Sequence, residues 1–61
     1  MKTIKVTGDP ASMSAIMVDK SIAYTEHETV RVESTDTDTW VEKAIFRIVD
    51  AGDEGNEIQF E

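Results

Sequence analysis

The sequence predicts a single α+β domain, an antiparallel sheet of four or five strands covered on one face by one amphipathic helix at about residues 40–51. Three observations predict it. Short segments near both ends alternate apolar with polar residues, as half-buried strands do. One longer stretch, Thr39 to Ala51, repeats its apolar residues at helical spacing between residues suited to capping. With 61 residues and no linker-like composition, the chain is one small domain, residues 1–61, with one core.

Lys2 to Thr7 reads as a strand, with Ile4 and Val6 on one face and Thr3, Lys5 and Thr7 on the other. Gly8-Asp9-Pro10 is turn chemistry. Ala11 to Lys20 admits two readings. Asp9 as N-cap and Pro10 at the first helical position, with Met13, Ile16, Met17 and Lys20 at helical spacing, make a short helix over about 10–19. Ser14 to Val18 instead makes a strand with Ile16 and Val18 on one face, the slightly better reading. The helical version gives the order βαββαβ, that of ferredoxin-like domains. Metal-carrying domains of that order hold their ion with a paired-cysteine loop after the first strand. Here that loop, Gly8 to Ser12, has no thiol, so no function follows.

Ser21 to Thr25 and Thr29 to Ser34 read as a hairpin turning at Glu26-His27-Glu28, with Ile22, Tyr24, Val30 and Val32 inward. Thr35 to Asp38 is a polar connector. In the predicted helix, Trp40, Ala44 and Ile48 form one row, and Val41, Ile45 and Val49 lie beside it. Glu42, Lys43, Arg47 and Asp50 take the other side, and Phe46 stands off the stripe near Glu42 and Asp50. Thr39 and Glu42 have capping-box spacing, and Gly52 can supply a left-handed stop. A strand here would place Glu42 among Trp40, Ala44 and Phe46 on one face. Against the helix, Ile45-Phe46-Arg47-Ile48-Val49 is rich in side chains that favour strands. Asp53-Glu54-Gly55 is a loop, and Asn56 to Glu61 is a last strand with Ile58 and Phe60 on one side.

The net charge is −7, and it is uneven. Residues 1–30 carry three lysines against four carboxylates, whereas residues 31–61 carry three cations against nine. That sign disfavours direct binding to nucleic acid or to an anionic membrane and favours a basic protein partner. There is no cysteine, so disulfides and thiolate metal sites are excluded. No apolar run approaches membrane-spanning length and no signal-peptide pattern opens the chain, which leads to the expectation of a cytoplasmic protein, in a host cytoplasm if virus-encoded.

Catalytic chemistry finds little to work with. His27 is the single histidine, set between Glu26 and Glu28, and neither a histidine-pair metal site nor a Cys–His nucleophile can be assembled. The serines lack a nucleophile-elbow context, and no glycine loop could cradle a phosphate. Asp36-Thr37-Asp38 opens like a calcium loop, but Trp40 stands at its fifth position and no glycine at its sixth. The expectation is therefore a non-enzymatic protein with no cofactor and no metal.

The candidate binding residues are Asp36, Asp38, Phe46, Asp50, Asp53, Glu54 and Glu57. Carboxylates near a helix C-terminus oppose the helix dipole, so their presence suggests display to a partner. Residues two apart on an extended segment point the same way at about 6.5–7 Å, comparable to the spacing of successive phosphates. Asp36 and Asp38, if extended, match that spacing. Glu57 and Glu61 share one wet face at twice the distance. These features suggest an acidic inhibitor that occupies the nucleic-acid-binding surface of a partner, the device of small phage-encoded and mobile-element anti-defence proteins, with Phe46 as an apolar anchor or as part of a homodimer seam. The alternative is a salt-adapted soluble protein whose acidity serves solubility alone.

Overall fold

The computed structural model describes residues 1–61, and nearly all its regular structure is strand. β1 is Thr3–Val6, β2 Ala15–Val18, β3 Thr29–Ser34, β4 Trp40–Asp50 and β5 Asn56–Phe60. Single 3-10 turns occupy Pro10–Ser12 and Gly52–Glu54. The strands form one curled, half-barrel sheet in the order β1-β3-β4-β5-β2. β1 runs parallel to β3, and every other pair is antiparallel. The core lies inside the curl and consists of Ile4, Val18, Val30, Val32, Ile45 and Ile58. Val6, Ile16, Tyr24, Val41, Ile48 and Phe60 pack partly buried around it.

β4 organises the sheet because it serves two neighbours in succession. Its first half pairs with β3, from Trp40 opposite Glu33 to Ala44 opposite Thr29. Its second half pairs with β5, from Ile45 opposite Phe60 to Asp50 opposite Asn56. At the changeover Ile45 donates its N–H to Glu28 O and accepts at its own carbonyl from the His27 N–H. The register against β5 slips there: Ile45 faces Phe60, but Arg47 faces Gln59, so β4 has one residue more than its partner. Phe46 is the extra residue of a β-bulge, which bends the strand and increases its twist. It also reverses the parity of the strand. Val41, Lys43 and Ile45 share the inner face with Val32 and Val30, whereas beyond the bulge Ile48 does so opposite Ile58.

The helix expected at residues 40–51 is therefore absent, and with it the α+β class: this stretch is the longest strand of a nearly all-β protein. The helical signal has a definite origin. A bulge inside an alternating strand converts inward positions 41, 43, 45 into 41, 45, 48 once Lys43 is discounted, and that spacing imitates one face of a helix. The β-branched and aromatic content of residues 45–49 pointed the other way and prevails. Thr39 is not an N-cap: its carbonyl accepts from Ser34 N–H, and its hydroxyl meets that of Thr37. Gly52 is left-handed, φ 68°, but it opens a 3-10 turn instead of closing a helix.

Two other expectations are corrected. The alternative of a helix at 10–19, and with it the ferredoxin-like order, gives way to the preferred strand reading: one 3-10 turn is followed by strand β2, with Ile16 and Val18 facing inward. Asp9 does cap that turn, accepting from Ala11 N–H. The hairpin of 21–25 with 29–34 does not form. Asp19 accepts from Ser21 N–H through its side chain and from Ile22 N–H through its carbonyl, which turns the chain just where a strand was expected. β3 pairs with β1 and β4 instead, so the sheet is mixed and not purely antiparallel.

Gly55 closes the β4–β5 turn at φ 110°, and a Cβ there would lie 2.1 Å from the Val18 carbonyl oxygen. Both the backbone angle and the contact exclude a side chain. Gly55→Ala is expected to lose at least about 2 kcal/mol in urea unfolding. Ile45 is fully buried and Phe46 is 54% exposed. Ile45→Ala should accordingly cost about 2–5 kcal/mol and Phe46→Ala about 1 kcal/mol or less, a contrast readable from thermal melts followed by circular dichroism.

Candidate functional site

The buried core is apolar, with no fully buried charged side chain, so any site must be on the rim or the outer face. On the outer face of β3 and β4, the Arg31 guanidinium stacks 3.9 Å over the Trp40 ring, with Glu33 Oε2 3.1 Å from its Nε. That Nε is buried and its contact with Glu33 is not aligned as a hydrogen bond, so the stack and the charge hold Arg31 together. On the outer face of β5, Arg47 donates from Nε and Nη2 to Gln59 Oε1, and Gln59 Nε2 donates to Glu57.

The cations are largely consumed within the fold. Lys2 pairs with Glu28 at 2.8 Å and Lys20 with Asp50 at 2.5 Å. Lys43, on the inner side of β4, donates to Met13 O and Ala11 O, strapping the first 3-10 turn to the sheet. Lys5 alone makes no such contact. By contrast, the side-chain carboxylates of Glu26, Asp38, Glu42, Asp53 and Glu54 take part in no hydrogen bond or ion pair within the chain. Unpartnered charge on this molecule is thus almost wholly negative.

The seven residues singled out in the sequence do not converge. Asp36 and Asp38 lie in the β3–β4 connection, while Asp50 ends β4 and Asp53 and Glu54 lie in the β4–β5 connection, at the opposite end of the eleven-residue β4. Phe46 and Glu57 stand on the outer face between them. Asp36 and Asp38 are not in an extended segment: Asp38 is left-handed, φ 57°, so their phosphate-like spacing is not realised. Asp36 is turned into the fold, accepting from Ser34 Oγ and Gly8 N–H and tying the β1 end to the β3–β4 connection. Asp50 is likewise engaged, by Lys20 and by Gly52 N–H.

What the structure does bring together is a group that sequence distance concealed. Asp19 and Lys20, after β2, meet Gly52, Asp53, Glu54 and Gly55 around an open hollow of about 370 Å³. Asp19 and Lys20 escaped the sequence reading because only the β2–β5 pairing, not visible in the sequence, carries them to that turn. No three His, Asp or Glu side chains cluster closely enough to share a metal ion. No family model, curated protein or solved structure matches the chain. No helix is long and apolar enough to cross a membrane.

Hydrogen bonding sets the titration of several carboxylates. Ser34 and Gly8 lower the pKa of Asp36, Lys20 and Gly52 lower that of Asp50, Lys2 and Thr25 lower that of Glu28, and Ser21 lowers that of Asp19. Burial raises that of Tyr24. Carboxylates with depressed folded-state pKa values stabilise the fold above the ordinary carboxylate range, and that support is lost as pH falls through the folded values. Tyr24 works at the other end, losing its contribution as pH rises past its ordinary value of 10.0. Asp36→Asn should therefore lower the urea midpoint at neutral pH, and the gap from the parent should close as pH falls below 3.8, the ordinary value for Asp.

Proposed function

We propose that the protein is a small, non-enzymatic binding protein that acts in the cytoplasm by covering the basic, nucleic-acid-binding surface of a partner. The observation that carries this reading is the imbalance of unpartnered charge: five free carboxylates against one free lysine, on a surface with a net charge of −7. Carboxylates already bonded within the fold have little left to offer a partner. The contact set is therefore Asp53 and Glu54, with Phe46 as an exposed aromatic on the same half of the sheet and Asp38 at the far end, while Glu57 is already engaged by Gln59 Nε2. The mimicry is one of charge density and not of a regular phosphate register, since Asp36 and Asp38 are bent out of line.

Capture from a cell lysate on the immobilised protein should retain nucleic-acid-binding proteins, released by salt and by added duplex DNA. The double variant Asp53→Lys, Glu54→Lys should retain far less while keeping the parent's far-UV spectrum, because neither side chain has a partner in the fold. Equal retention by the variant, or release by neither salt nor DNA, overturns the reading. A melt series from dilute buffer to multimolar KCl separates it from salt adaptation. The proposed function expects a folded protein in dilute buffer; a fold present only at molar salt assigns the acidity to salt adaptation.

A further inference from the structure

The two edges of the half-barrel are not alike. β1 ends one side of the sheet and β2 the other. Arg31 N–H reaches Lys2 O and Thr35 N–H reaches Val6 O, so the even-numbered residues of β1 bond to β3, and the backbone groups of Thr3 and Lys5 point out from the edge. Lys5 guards that edge, since an additional strand would have to run beside its charge. On β2, Phe60 N–H donates to Ser14 O, so Ile16 and Val18 bond to β5, and the backbone groups of Ala15 and Met17 point away from the sheet. No hydrogen bond outside the strand ladders involves either residue. Both are exposed, Met17 to 47%, and Ala15–Val18 contains no charge, proline or bulge to discourage pairing.

The surroundings of this edge have a definite sign. Glu57 stands beside Met17 in the register, and the β2 strand runs directly into Asp19 at the hollow shared with Asp53 and Glu54. Lys20, the one cation there, is held by Asp50. A second copy of this chain would bring another −7 to the same place, so self-pairing is opposed by charge.

We propose that the free edge of β2 docks an extended, lysine- or arginine-bearing segment of a partner protein, which adds as a sixth strand along Ala15 and Met17. Main-chain hydrogen bonds supply the attachment, and a basic side chain next to the hollow supplies the choice of partner. The inference rests on the binding reading above but locates it at one edge, and the two can fail separately.

The probe is a synthetic eight-residue peptide alternating valine with lysine, titrated into the ¹⁵N-labelled protein. Shifts centred on Ala15, Met17 and Glu57 and slowed exchange of the Met17 amide are expected. Met17→Pro removes the outward N–H without touching the β5 ladder. It should abolish peptide binding while retaining the parent's melting behaviour. Should Met17→Pro fail to fold, Met17→Lys makes the same test by adding an edge charge. The pair Asp53→Asn, Glu54→Gln should weaken binding several-fold and steepen no other property. Undiminished binding by either Met17 variant overturns strand addition while leaving the charge-based reading in place. No peptide binding at millimolar concentration overturns this inference, as does a concentration-dependent dimer abolished by Met17→Lys, which would assign the edge to a second copy.

Discussion

The strand β4 has to satisfy two partners with one backbone, and the bulge at Phe46 is how it does so. A straight eleven-residue strand would run about 35 Å and present a single alternating face. The whole molecule extends only 30 Å along its longest axis. The extra residue bends β4 so that its first half stays with β3 and its second half stays with β5. Because the bulge also flips the parity, Ile45 and Ile48 can both point into the same small core. Without it, either Ile48 would face water or the sheet would lie flat, and six buried side chains could not enclose one another. The two anchors of the turn at the end of β4, Gly55 against the Val18 carbonyl and Lys20 on Asp50, then hold β2 to the far side of the curl.

Much of the strand content was legible from alternation: Thr3–Val6, Thr29–Ser34 and Asn56–Phe60 all fall within stretches where apolar and polar residues take turns. Alternation failed at the one strand that breaks its own rule. Period counting assumes an uninterrupted element, and a single inserted residue shifts every later position, so a bulged strand scores as a helix in a window of this size. The stronger indication at residues 45–49 was side-chain type, because branching at Cβ acts locally and survives a change of register. The 21–25 segment failed for a different reason. Its Ile22 and Tyr24 alternate correctly, but the Asp19 side chain and carbonyl engage the Ser21 and Ile22 amides in a turn instead of a ladder.

The candidate site was legible as a quantity and not as a place. Composition alone revealed an excess of carboxylates, mostly in the second half of the chain. Which of them face outward unengaged depends on backbone amides and lysines many residues away: Asp36 is taken by Gly8, Asp50 by Lys20, Glu28 by Lys2. These pairings arise from strand order, above all the parallel β1–β3 contact and the β2–β5 contact, both of which join segments distant in sequence. A charge count could not separate structural carboxylates from displayed ones.

That separation explains how so small a chain tolerates so large a net charge. Exposed ion pairs add little stability each, since water and salt screen them. Their positions, however, are not random: Lys2–Glu28 lies by the start of β3, Lys20–Asp50 joins the chain after β2 to the end of β4, and Lys43 straps down the first turn. The few cations go to the joints of the curl, where strands meet connections and the short core reaches least. Carboxylates in excess of those joints are left exposed to water, where solvent and salt screen their mutual repulsion. Fold and surface are therefore set by one allocation: the few cations engaged at the joints of the half-barrel leave Glu26, Asp38, Glu42, Asp53 and Glu54 without a counter-charge in the chain.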